Sequence, residues 1–298
     1  MDAAPMDNPL LSPRLAQMAA SFAHQQVALP SGASVGVRTC GQVRGLPPVV
    51  LLHGISSGSA SWLEVALRLS EQTKVLAWDA PGYGESTPLA AASPTDTDYA
   101  SRLRELLLAL GWTDALLVGH SLGALMAMAY AREWGAPGMV LISPARGYGA
   151  ADQADTRAKV RAERAAALQR LGVAGLAAGI SNRLLSAGAT DAQRAWVGWN
   201  TARLHPEGYL QAVELLCHST LARSGRSLAP TDVPTEVYCG DADVVTPPGT
   251  CRAWAEANRL PFALIPVAGH ASPVEQPDAV AQLILGVLQR SSGVSRHG

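Results

Sequence analysis

The chain has 298 residues, of which 48% are hydrophobic and 16% charged, and its formal net charge is -1. That is enough apolar material for a sizeable core, and a single α/β domain can be this long. The balanced charge excludes a basic field for nucleic acid and an acidic tail, so the expected partner is a small molecule. Cys40, Cys217, Cys239 and Cys251 form no C-x-x-C pair and fit no zinc spacing, and they read as buried, reduced thiols. The N-terminus lacks the basic start and apolar run of a secretory signal. No stretch approaches the ~20 apolar residues needed to cross a bilayer. A soluble, cytoplasmic protein is expected.

Residues 1–24 carry no strand pattern and are expected to form a short helix or stay loose. From Gln25 to Thr39 the chain alternates around Pro30-Ser31-Gly32, which predicts a hairpin. Apolar strands then take turns with amphipathic helices. Strands are predicted at Val49–Leu52, Val75–Trp78, Ala115–Val118 and Met139–Ile142. Helices are predicted at Trp62–Leu69, Tyr99–Leu110 and Leu122–Trp134. This alternation implies crossover connections and a parallel sheet. From Asp152 to about Leu228 the pattern is helical throughout. The alternation resumes after Pro230, with strands at Glu236–Cys239 and Ala263–Val267 and helices at Gly249–Ala257 and Val274–Leu288. A helical block between two strands of one sheet is most simply a cap over one edge. The expected organisation is an N-terminal segment (1–24), an α/β core (25–145 and 229–298) and a helical cap (146–228).

Two segments fit G-x-S-x-G: Gly54-Ile55-Ser56-Ser57-Gly58 and Gly119-His120-Ser121-Leu122-Gly123. A nucleophilic serine on a strand-to-helix elbow needs a strand before it, small residues two before and two after, and a helix starting at once. Leu117-Val118 and the run Leu122–Ala127 meet that need around Ser121. A polar loop follows Ser56 instead, so Ser121 is the candidate nucleophile.

Four separated motifs carry a resemblance over most of the chain. They are Leu52-His53-Gly54, the run Asp79-Ala80-Pro81-Gly82-Tyr83-Gly84-Glu85-Ser86, the Ser121 elbow, and Gly269-His270. Together and in this order they resemble the α/β-hydrolase superfamily from about Gln25 to Leu288. The resemblance implies a doubly wound, mostly parallel eight-stranded sheet, with a lid inserted after the sixth strand.

A serine hydroxyl needs a base. Of seven histidines, His24, His205, His218 and His297 lie in the N-terminal segment, the helical block or the tail. His53 and His120 belong to turn motifs and are expected to hold loops. His270 follows a strand and a Gly near the chain end, in the order Ser, acid, His, and is the candidate base. The family places the acid after the sixth or seventh strand. Ser143-Pro144-Ala145-Arg146-Gly147 offers no carboxylate, whereas Gly240-Asp241-Ala242-Asp243 offers two. The family pattern, Gly, two residues, Asp, then Pro four on, selects Asp243. Asp241 reads as a turn former. Asp79 reads as structural, tying down the Pro81-Gly82 turn, and Glu275 as solvated or bracing a loop. The backbone N–H of Leu122 is one expected oxyanion donor, and by resemblance that of Ile55 is the other. No metal ligand set, phosphate loop or dinucleotide fingerprint occurs, so no cofactor is implied.

The substrate is the least legible part. Ser121 argues against dehalogenases and epoxide hydrolases, which use Asp at the elbow. The segment Gly269–Pro277 resembles 3-oxoadipate enol-lactonases and related small carboxylesterases. Meta-cleavage C–C hydrolases carry Trp after the His, from which Ala271 departs. The expected reaction is hydrolysis of a small ester or (enol-)lactone. The alternatives are C–C bond hydrolysis of a vinylogous diketone, or a non-hydrolytic use as ligand receptor, cofactor-free oxygenase or lyase. In the cap, Trp196 and Trp199 lie three apart on one helical face, with Tyr209 downstream. They either wall an acyl pocket or fasten the cap to the core. Arg146, Arg183 and Arg203 could pair with a substrate carboxylate.

Overall fold

The computed structural model describes residues 8–221 and 233–294. Helix α1 (Ser12–Ser21) precedes a hairpin of β1 (His24–Ala28) and β2 (Ser34–Cys40). Then follow β3 (Val49–Leu52), α2 (Leu63–Ser70), β4 (Val75–Trp78), α3 (Asp96–Leu110), β5 (Leu116–His120), α4 (Leu122–Trp134) and β6 (Met139–Ile142). Three insertion helices come next: α5 (Ala154–Leu184), α6 (Asp191–Thr201) and α7 (Pro206–His218). The chain returns through β7 (Thr235–Gly240), α8 (Pro248–Ala257), β8 (Phe262–Ile265), α9 (Ser272–Glu275) and α10 (Pro277–Val294).

The eight strands form one sheet in the order β1-β2-β4-β3-β5-β6-β7-β8. The first two pairings are antiparallel and the rest parallel. Strands β3 to β6 are buried along their whole length, as a parallel sheet covered on both faces requires. Their period of two divides the interior into two cores. Val50, Leu52, Leu76, Trp78 and Leu117 face α3 and α4, while Val49, Leu51, Val75, Ala77 and Val118 face α2 and α10. The order reverses at β3, with β4 on one side and β5 on the other. Loops at the carboxyl ends of β3 and β5 therefore diverge and leave a crevice, where ligands of such sheets bind.

The N-terminal segment takes the first of its two expected forms, a short helix from Ser12, and Leu11, Met18 and Phe22 are buried in the α2–α10 core. Other elements depart from the sequence reading. The single helix expected from Val274 to Leu288 is two, because Pro277 cannot continue the bonding of the turn before it and instead starts α10. Helix α5 is bent at Gly172, whose φ of 61° and ψ of 179° lie outside the helical region. The expected end of the helical block at Leu228, and the core boundary at 229, lie outside the described residues. All four cysteines are free, three buried and Cys40 half-buried. No described helix is long and apolar enough to cross a membrane.

Phe22 has no exposed surface. Phe22→Ala should lower the unfolding free energy by about 3–5 kcal/mol, measured by urea denaturation. A loss below about 1 kcal/mol would show that the Phe22 ring contributes little to the core.

Candidate active site

Strand β5 delivers Ser121 into the crevice and α4 begins at the next residue. Ser121 has φ 52° and ψ -114°, a conformation that side-chain-bearing residues adopt only under constraint. The constraint is visible. Its N–H donates to the Ile142 carbonyl at 3.0 Å, and its own carbonyl accepts from Ala145 N–H at 3.1 Å. The turn closes because Gly119 and Gly123 have no Cβ. One on Gly119 would lie 2.6 Å from the Gly123 carbonyl oxygen, and one on Gly123 would lie 2.3 Å from that of Leu52. The N–H of Leu122 is at the first position of α4, where a helix leaves its donors without internal partners. Gly54 packs against this turn, and a Cβ there would lie 3.1 Å from Ser121 Cβ. The next residue, Ile55, lines the same cavity as Ser121, Leu122 and His270.

Asp243 and His270 come from the loops after β7 and β8. His270 Nδ1 and Asp243 Oδ2 are 2.8 Å apart, both side chains almost wholly buried. Asp243 Oδ1 also accepts from Val245 N–H at 2.8 Å and Thr246 N–H at 2.9 Å, and Oδ2 from the Thr246 hydroxyl at 2.8 Å. Burial alone would raise the Asp243 carboxyl, but the hydrogen bond and charge of His270 and the Thr246 N–H outweigh it and hold the group well below the usual carboxylate range. An ionised acceptor fixes the proton of His270 on Nδ1 and leaves Nε2 able to accept. The Ser121 hydroxyl and the His270 ring open onto one cavity of about 570 Å³ without a hydrogen bond between them.

The surrounding polar residues hold these loops. Asp241 accepts from Val267 N–H at 3.0 Å and Ala268 N–H at 3.1 Å, which makes it the brace of the β8 exit. His120 lies 2.8 Å from the His270 carbonyl through Nε2, which must therefore carry the proton. Burial drives the pKa of His120 down to about 3, so its ring is neutral. His53 accepts from Ala80 N–H at Nε2 (3.0 Å) and donates from Nδ1 to the Gly54 carbonyl (2.8 Å), joining the β3 and β4 loops. Glu275 is buried and accepts from Gly269 N–H at 2.7 Å and Ser186 N–H at 2.9 Å, so it braces a loop rather than meeting solvent. Asp79 reaches elsewhere than the Pro81-Gly82 turn. Its carboxylate accepts from Ser59 N–H at 2.7 Å, while the Ser86 hydroxyl donates to its main-chain carbonyl.

The insertion roofs the cavity with residues of α5 and α7, including Leu176, Ile180 and Tyr209. Arg146 and Arg183 lie at its edge, both exposed. Trp196 and Trp199 do not reach it. Trp196 is fully buried in the α2–α10 core, and Trp199 stacks on it with ring centroids 4.8 Å apart and planes 12° from parallel. Spacing of three put both on one face of α6, and that face turns to the core. The Arg203 guanidinium lies over the Trp199 ring. Arg164 on α5 lines the cavity and escaped the sequence reading, because nothing in the pattern separates it from the other arginines of that helix.

Comparisons with known proteins bear on the fold and the family. The chain is 26% identical over 264 residues to RutD of Escherichia coli O103:H2, named as a candidate carbamate hydrolase, covering 81% of this chain and 91% of that one. A thermophilic esterase from Thermogutta terrifontis, determined with malate bound, superposes with a TM-score of 0.74 at 25% identity, covering 91% of this chain and 99% of the other. The enol-lactonase of Burkholderia xenovorans LB400 superposes with a TM-score of 0.76 at 23% identity, covering 89% and 100%, a likeness of fold. Residues 49–283 match the model of the alpha/beta hydrolase family, and the chain belongs to that family.

Proposed function

We propose that the protein hydrolyses a small carboxylic ester or lactone through an acyl-enzyme on Ser121. In this reading His270 is the general base, Asp243 the acid that orients it, and the N–H groups of Leu122 and Ile55 the oxyanion hole. The described part of the insertion, residues 146–221, forms the cap that selects the substrate. The buried Asp243–His270 pair, opening onto the cavity that holds the strained Ser121, is the observation that carries the proposal. The similarity to RutD and to the thermophilic esterase supports acyl transfer at a carbonyl as the reaction class.

Ser121 Oγ attacks the substrate carbonyl while His270 Nε2 takes its proton. Negative charge moves to the carbonyl oxygen, which the two N–H groups receive. The tetrahedral intermediate collapses, the C–O bond to the alcohol breaks, and His270 returns the proton to the leaving oxygen. Water then repeats the sequence on the acyl-enzyme and releases the acid. The missing Ser121–His270 hydrogen bond is consistent with this course, since such contacts often tighten only when substrate is bound.

A fluorophosphonate probe should label Ser121 covalently, and Ser121→Ala should abolish both labelling and turnover of a p-nitrophenyl ester. Peptide mapping that finds the label on Ser56, or full activity in Ser121→Ala, refutes the assignment.

Asp243→Asn should lower kcat by about 10³- to 10⁴-fold. The amide hydrogen would face His270 Nδ1 and favour the opposite tautomer. Asp241→Asn should cost much less, because Asp241 meets only backbone N–H groups. A reversal of these two effects would make Asp241 the orienting acid.

A further inference from the structure

The cavity holds a cation that the proposed chemistry does not use. Arg164 lies half-buried on α5, and its Nη1 donates to the hydroxyl of the buried Tyr209 at 3.2 Å. Other arginines of the same helix have partners of their own. Arg161 pairs with Glu214 at 2.7 Å, and Arg157 donates to the Tyr148 carbonyl at 3.1 Å. Among the described residues, no carboxylate pairs with Arg164 within 4.0 Å. The one acidic residue that lines the cavity, Glu163, is exposed and pairs with Lys159 at 3.8 Å. Arg146 and Arg183 add positive charge at the cavity edge.

A guanidinium has five N–H donors, and Tyr209 takes one of them. The Tyr209 hydroxyl accepts from Arg164 and keeps its own proton free to donate. Half-burying a cation without a counter-ion is unfavourable, and an anion that enters the cavity removes that cost. The planar fork of one guanidinium matches a carboxylate in particular. The walls of the cavity that these residues share with Ser121 include Val160, Leu176, Ile180 and Leu216, which suit a short hydrocarbon spacer.

We propose that the substrate is an ester or lactone bearing a second, free carboxylate, which Arg164 and Tyr209 hold across an apolar spacer from the carbonyl that Ser121 attacks. This rests on the ester-hydrolase reading. Arg146 and Arg183 steer the anion toward the cavity.

The test compares p-nitrophenyl valerate with mono-p-nitrophenyl glutarate, a neutral and a carboxylate-bearing ester of similar length. Wild-type protein should prefer the carboxylate-bearing ester in kcat/KM by at least about tenfold. Arg164→Gln should cut that preference at least about tenfold, chiefly through KM, and Arg164→Lys should restore part of it. Tyr209→Phe should reduce it less, and raised salt should weaken it. A preference unchanged in Arg164→Gln, with lowered thermal stability, would make Arg164 a brace for Tyr209 and overturn the proposal. A binding arm works without turnover. Glutarate, and not glutaramide, should raise the Tm of Ser121→Ala protein, and the double variant Ser121→Ala/Arg164→Gln should lose the shift. No shift with glutarate overturns the proposal, and an equal shift with inorganic phosphate overturns the carboxylate assignment. A glutarate shift in a protein that cleaves neither ester would instead count against the hydrolase reading alone.

Discussion

The close approach of three backbones at the end of β5 governs the rest of the architecture. Ser121 stands at a positive φ where β5 turns into α4, with the β3 and β6 exits on either side. There is no room at Gly119 or Gly123 for even a methyl group. The strain of that turn, about 1–3 kcal/mol for a non-glycine residue, is offset by hydrogen bonds to Ile142 and Ala145 and by the packing of both sheet faces. Because β3 and β5 are central, buried strands, the serine stands at the interior of the sheet. The reversal of strand order beside it supplies the open crevice, so burial and access arise from one topological fact.

Electrostatics then organise the other side of the cavity. Asp243 accepts from three N–H groups, a hydroxyl and the Cys239 thiol, and stays ionised despite its burial. A charge so placed would be costly without them. The loop that carries His270 is held by three further groups, Asp241, Glu275 and the neutral His120, each bonded to backbone near the ring. The ring is thus positioned from its acid, its carbonyl and its flanking N–H groups. Little of its orientation is left to side-chain chance.

The order and type of nearly every sheet strand could be read from apolar runs, because buried parallel strands have no polar face to blur them. The Ser121 elbow was readable because its local requirement, small residues at fixed offsets between a strand and a helix, is written in five consecutive residues. Asp243 over Asp241 needed a family pattern, since two acids two residues apart look alike until the backbone shows which one faces His270. The Trp196–Trp199 pair shows the limit. Helical spacing tells which residues share a face, but not whether that face meets cavity or core. Arg164 shows the same limit in reverse, as its distinction lies in what is absent around it in space. The bend at Gly172 and the split at Pro277 are backbone events that hydrophobic periodicity does not record.

The end of α5 belongs to two parts of the molecule at once. Leu184 accepts from Ala271 N–H at 2.8 Å, Ser186 N–H binds the Glu275 carboxylate that also holds Gly269, and a Cβ on Gly269 would lie 2.7 Å from Ser186 N. These residues are sequence neighbours of the roof and structural neighbours of the histidine loop. Any exchange of α5 for that of a relative therefore has its natural seam upstream of Leu184. A graft that replaces 184–186 along with the helices would unfasten the loop beneath it, and the resulting chimera would report on a displaced histidine instead of a new specificity.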